Sequence, residues 1–139
     1  MVNLSSAAQA PVDLAAFERR ISLGDGQAYA QSKLALTMWS RHLGTELGET
    51  GPVVVAVNPK SFLGTKMVRE AYGSAGVDVG AGVDVLCRAA LSTEFADATG
   101  RYFDNDTGRF ASPHPDALDS DRCATVVDAI ERVLAERLD

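Results

Sequence analysis

The chain reads as an α/β fold, and three stretches of its sequence point that way. A continuous run of β-branched and small apolar residues, Val53-Val54-Val55-Ala56-Val57, has the length and composition of a central strand buried on both faces. Upstream, Ala30, Leu34, Met38, Leu43 and Leu47 recur at steps of three to five residues, the spacing of a helix with one buried face. Near the N-terminus, Val2-Asn3-Leu4 is a second, shorter strand candidate that ends at Ser5-Ser6.

The elements follow in order along one domain, 1–139. A short buried strand is expected over residues 2–5, then a long connection over 7–26 that holds Pro11, Asp13 and a helical turn at 14–19. The periodic helix covers 27–47 and stops at the glycines 48 and 51. The apolar strand covers 53–57, and Pro59 ends it because proline cannot donate to a ladder. A loop and short helix occupy 59–72, and Val83, Leu86, Cys87, Ala90 and Leu91 mark a helix over 79–91. In the last stretch, 101–139, Arg101-Tyr102-Phe103 is a strand candidate entering the turn Asp104-Asn105-Asp106-Thr107-Gly108. Asp119 or Ser120 then caps a final helix with the stripe Val126, Val127, Ile130, Val133, Leu134 and Leu138. Two strong strand candidates for four helices would leave a parallel sheet with a raw edge, unless the chain dimerises, swaps or meets a further segment.

Bulk properties exclude several function classes. Of 139 residues, 46% are apolar, enough to build a core. With 13 basic and 19 acidic side chains the net charge is −6 and no Lys/Arg cluster occurs, so nucleic acid and anionic membrane are poor partners. No apolar run approaches the ~20 residues that span a bilayer, and the N-terminus lacks a signal-peptide layout, so a cytoplasmic location is expected. Cys87 and Cys123 lack metal-ligand spacing and read as packing residues. His42 and His114 read as surface residues, and Asp104, Asp106 and Gly108 as a turn rather than a calcium loop, because no glutamate follows at the required distance. No metal site is expected.

The chemistry concentrates in Tyr29-Ala30-Gln31-Ser32-Lys33. Residues four apart share a helix face, so the Lys33 ammonium lies beside the Tyr29 phenol and favours its ionised form. Any helix can place such a pair, and the context gives it meaning: Ser5-Ser6 ends the strand before it, and a buried strand and Pro59 follow.

In these residues the chain resembles the short-chain dehydrogenase/reductase family, with a Tyr-x-x-x-Lys helix, an upstream serine at a strand end and a proline loop after the next strand. The match runs from Val2 to about Thr65. The spacing from Ser6 to Tyr29, 23 positions, is longer than in the commonest members and resembles the retinol-dehydrogenase-like branch. The resemblance implies the C-terminal half of a Rossmann-like doubly wound parallel sheet, lacking the N-terminal Gly-rich nucleotide-binding half. It implies Ser6, Tyr29 and Lys33 as catalytic residues, with Tyr29, Lys33, Pro59, Leu63 and Thr65 toward a cofactor that is NAD or NADP. The reaction would interconvert a small-molecule alcohol and a carbonyl, in a homo-oligomer or together with an N-terminal half. The alternative is a truncated, non-catalytic member acting as a binding or assembly partner.

Two features depart from the family pattern. Lys60 follows Pro59 where a glycine is usual, and Thr65 reads equally well as the cap of the helix after it. The glycines 76, 80 and 82 have the spacing of a pyrophosphate turn but follow a helix rather than a strand, so they read as a loop. Phe17, Phe62 and Phe110 read as either pocket-lining or core residues.

Overall fold

The apolar run around Val55 becomes the second strand of a four-stranded sheet in the computed structural model, which describes residues 1–18 and 20–138. The strands are β1 (Val2–Leu4), β2 (Val55–Asn58), β3 (Tyr102–Asp104) and β4 (Arg109–Ala111), in that spatial order. β1, β2 and β3 are parallel, with Val2 opposite Val55 and Ala56 opposite Tyr102, and β4 returns antiparallel to β3. The helices are α1 (Leu14–Phe17), α2 (Asp25–Leu47), α3 (Lys66–Tyr72), α4 (Gly80–Leu91) and α5 (Ser120–Leu138). The fold is therefore α/β with an open, mostly parallel sheet.

Side chains alternate across a strand, and the alternation sorts the sheet into two faces. Val55, Val57 and Phe103 join Val85 and Ala89 of α4, with Phe95 and Ala98, in one core. Phe95, Phe103 and Phe110 meet there with ring centroids 5.0–5.3 Å apart, in tilted and edge-to-face pairs. On the other face α2 and α5 pack together through Leu34, Ala35, Met38, Cys123 and Val126.

The seam between α2 and β1 is polar. Asn3 Nδ2 donates to Ser40 Oγ at 2.9 Å, and the Ser5 and Thr37 hydroxyls share a hydrogen bond of 2.6 Å. Thr37 and Ser40 are wholly buried, so these bonds replace water that they cannot reach.

Several boundaries differ from the sequence reading. β2 is displaced toward Asn58 because β3 pairs as far as Asp104, opposite Asn58. β1 is three residues long and not fully buried: it lies at the sheet edge, and Leu4 is 46% exposed. α2 starts at Asp25, where an acidic side chain suits the helix N-terminus. The turn expected at 14–19 is α1, with Arg19 outside the described residues, as is Asp139 after α5. Asp119 caps α5, accepting from the amides of Asp121 and Arg122 at 3.0 Å. β4 was not anticipated; it is short and half-exposed, and only Phe110 reaches the core. Cys123 is buried, but Cys87 is exposed, on the side of α4 away from the sheet. Among the described residues no helix is long and apolar enough to cross a membrane.

Replacing Thr37 with valine removes the shorter of the two bonds made by the buried Ser5 hydroxyl, leaving it only the Lys33 carbonyl at 3.4 Å. Thr37→Val is expected to lower stability by about 1–3 kcal/mol, read from urea unfolding, with Thr37→Ser retaining most of it.

Candidate active site

Parallel strands place all their C-terminal ends on one edge of a sheet, where open α/β sheets bind ligands. Here that edge gathers the ends of β1, β2 and β3: Ser5-Ser6, Pro59 and the turn after Asp104. The register of α2 on β1 brings Lys33 to the same edge. Its Nζ donates to the Leu4 carbonyl at 2.9 Å and lies 5.5 Å from the centroid of the Tyr29 ring. Both side chains are half-buried.

The two serines at the end of β1 are not equivalent. Ser5 is buried and committed to Thr37. Ser6 is half-exposed, and among the described residues its Oγ accepts from the near Ala8 amide at 3.1 Å. The Ser6 carbonyl is held from two sides, by the Tyr102 hydroxyl at 3.1 Å and by Gln9 Nε2 at 2.9 Å. Tyr102 itself is buried; burial, with the Asp104 and Asp106 charges nearby, pushes its phenol up to about 12.

The β2–α3 connection carries the remaining candidates, and they are held differently from one another. Pro59 offers its carbonyl to Asn105 Nδ2 at 2.8 Å. Leu63 is buried with its side chain over Gly82, where a Cβ would come within 2.6 Å of Leu63 Cδ1, and it bridges to Val77 in parallel. Thr65 is the cap of α3, its hydroxyl accepting from the Val68 amide at 3.4 Å. Lys60 has φ +143°, a backbone region that favours glycine. The residue after Pro59 thus follows a glycine-like path with a lysine in it.

Sequence reasoning missed the groups that hold this connection in place. Asn58 Nδ2 donates to Asp104 Oδ1 at 2.8 Å and to Asp106 Oδ2 at 2.9 Å, and the Ser61 amide and hydroxyl both donate to the Asp106 carboxylate. Partial burial opposes ionisation of Asp106, but the bonds from Ser61 and Asn58 outweigh it and hold the carboxyl below its ordinary value. The available signal was Asn58, a polar side chain closing an otherwise apolar strand.

Other candidates lie elsewhere. Phe17 packs toward α5, Phe110 sits with Phe95 and Phe103, and Phe62 is exposed against Tyr72, so the three do not line one cavity. A groove of about 600 Å³ runs between α1 and α5, lined by Phe17, Arg132 and Val133 among others, and none of Ser6, Tyr29 or Lys33 lines it. Gly76 (φ +71°) packs against the backbone of Phe62 and Gly64, a loop role. The histidines are half-buried rather than fully on the surface: His42 Nε2 lies 3.3 Å from Glu46, and His114 Nδ1 accepts from the Asp116 amide at 3.2 Å. Among the described residues no group of three His, Cys, Asp or Glu side chains is placed to hold a metal ion.

Two outcomes follow from this geometry. Lys60→Gly is expected to raise stability by about 1 kcal/mol, because it relieves an unfavourable backbone conformation, as measured by denaturant unfolding. Tyr102 binds its proton more tightly folded than unfolded, so the stability it contributes is full below pH 10 and lost as pH rises from 10 toward about 12. The urea midpoint should fall across that window, and more steeply than in Tyr102→Phe. Comparison of the chain with protein-family models, curated proteins and solved structures finds no match.

Proposed function

We propose that the chain carries the catalytic half of an NAD(P)-dependent oxidoreductase of the short-chain dehydrogenase/reductase type, interconverting an alcohol and a carbonyl. The observation that supports it best is the meeting of Lys33, Tyr29 and the end of β1 at the ligand-binding edge of a parallel sheet. The glycine-like path at Lys60, in the connection after the adjacent strand, supports the same reading.

The residues suit the nicotinamide end of such a cofactor. Bound there, the cofactor supplies or accepts the hydride at the substrate carbon. Tyr29 gives the matching proton to the carbonyl oxygen during reduction and takes it back during oxidation. Lys33 stabilises the phenolate that remains and bonds the nicotinamide ribose, and the Ser6 hydroxyl donates to the oxygen on which charge develops. The connection through Pro59, Leu63 and Thr65 would hold the carboxamide. The pyrophosphate needs a further segment, because among the described residues no Gly-rich turn leads from a strand into a helix.

A second reading, a non-catalytic assembly partner, draws on the open edge of β1 and the exposed Leu4. Fluorescence titration of NADPH and NADH into the purified chain separates the two. Saturable binding in the micromolar to sub-millimolar range, weakened about tenfold or more by Lys33→Ala, is the result expected of the oxidoreductase. No binding up to millimolar cofactor would remove catalysis by this chain alone.

A further inference from the structure

The turn between β3 and β4 makes more contacts than a hairpin needs. It closes through its own bonds: the Thr107 amide and hydroxyl donate to the Asp104 carbonyl at 3.2 and 3.1 Å, and Gly108 takes φ +69°. None of these uses the Asp106 carboxylate. That carboxylate points away from its own hairpin and accepts from the Ser61 amide at 2.9 Å, from the Ser61 hydroxyl and from Asn58 Nδ2 at 2.9 Å.

The neighbouring Asn105 acts on the same segment. Its amide donates to the Asn58 carbonyl at 3.1 Å, and its Nδ2 donates to the carbonyls of Pro59 at 2.8 Å and Ala81 at 3.1 Å. The chain is thus gripped on both sides of Lys60, one of two non-glycine residues in this connection with positive φ, the other being Phe62 at +54°. Such a conformation persists only where its surroundings over-determine it. Ser61 is half-buried and Asp106 exposed, so solvent was available to both, whereas Asn58 is buried and draws its acceptors from this turn. Hydrogen bonds to an ionised acceptor are roughly twice as strong as neutral ones, which makes a carboxylate an effective group for holding a strained loop.

We infer that Asp106 is a positioning residue: it latches the β2–α3 connection into the shape in which Pro59 and the residues after it face the nicotinamide. The inference rests on the proposed oxidoreductase reading for its functional half and on geometry alone for its structural half.

The test uses the full chain and two readouts. Amide hydrogen exchange at Ser61 reports the latch, and NADPH fluorescence titration reports what the latch is for. Asp106→Ala is expected to speed Ser61 exchange about tenfold or more and to weaken NADPH binding about tenfold, while protection in β4 is unchanged. Asp106→Asn, which retains one acceptor oxygen, should fall between that variant and the parent. Unchanged Ser61 exchange in Asp106→Ala overturns the latch. Faster exchange with unchanged NADPH affinity overturns its positioning role. Failure of the parent chain to bind NADPH removes catalysis by this chain alone and the positioning role with it, and Ser61 exchange still decides the latch. If Asp106→Ala does not fold, Ser61→Ala removes one of the same bonds from the other side and should give about a threefold change in both readouts.

Discussion

The polar seam between α2 and β1 is the constraint on which the site depends. An apolar interface tolerates sliding, because dispersion and burial are nondirectional. Paired hydroxyls and amides do not. Displacing α2 by one turn, about 5.4 Å, would separate Ser5 from Thr37 and Asn3 from Ser40, and would leave the Thr37 and Ser40 hydroxyls only their bonds to the Lys33 and Leu36 carbonyls of the same helix. The seam therefore sets the height of Tyr29 and Lys33 relative to Ser6, a relation that local helix geometry does not determine.

The two faces of the sheet divide the work. On the α4 side, aliphatic and aromatic side chains of β2 and β3 make a dry core in which three phenylalanine rings interlock. On the α2 side the strands turn Asn3, Ser5, Asn58 and Tyr102 toward hydrogen-bond partners, and their alternation with Val55, Val57 and Phe103 follows from the pleat. The α2 side adds to its own apolar cluster with α5 a set of directional side-chain bonds from strand to helix that, among the described residues, the α4 side lacks.

Much of this was legible in the sequence because it is written in local pattern. The run of valines marks β2, the spacing of Leu34 and Met38 marks α2, and Asp119 caps α5 by a contact spanning three residues. What escaped was set by tertiary pairing. β4 carries Arg109 and a single core residue, so it has no pattern of its own and exists because β3 is there to pair with. Cys87 sits among apolar neighbours in sequence but lies on the outer side of α4. Ser6, Tyr29 and Lys33 stand out as candidates from their order, whereas Asn58 and Asp106 meet across 48 positions and nothing local announces it.

The bond from Tyr102 to the Ser6 carbonyl spans 96 positions, nearly the whole chain. Contacts of such separation form against a loop-closure entropy that nearby contacts do not meet, and parallel pairing is intrinsically slow to assemble for that reason. α2 can form its turns early, with Tyr29 and Lys33 already adjacent, but the Ser6 carbonyl gains its bond from Tyr102 only once β3 has docked. The geometry of the candidate site is thereby tied to completion of the sheet: a folding intermediate that holds α2 on β1 without the third strand carries the tyrosine and lysine together but lacks one of the two bonds that hold the Ser6 carbonyl.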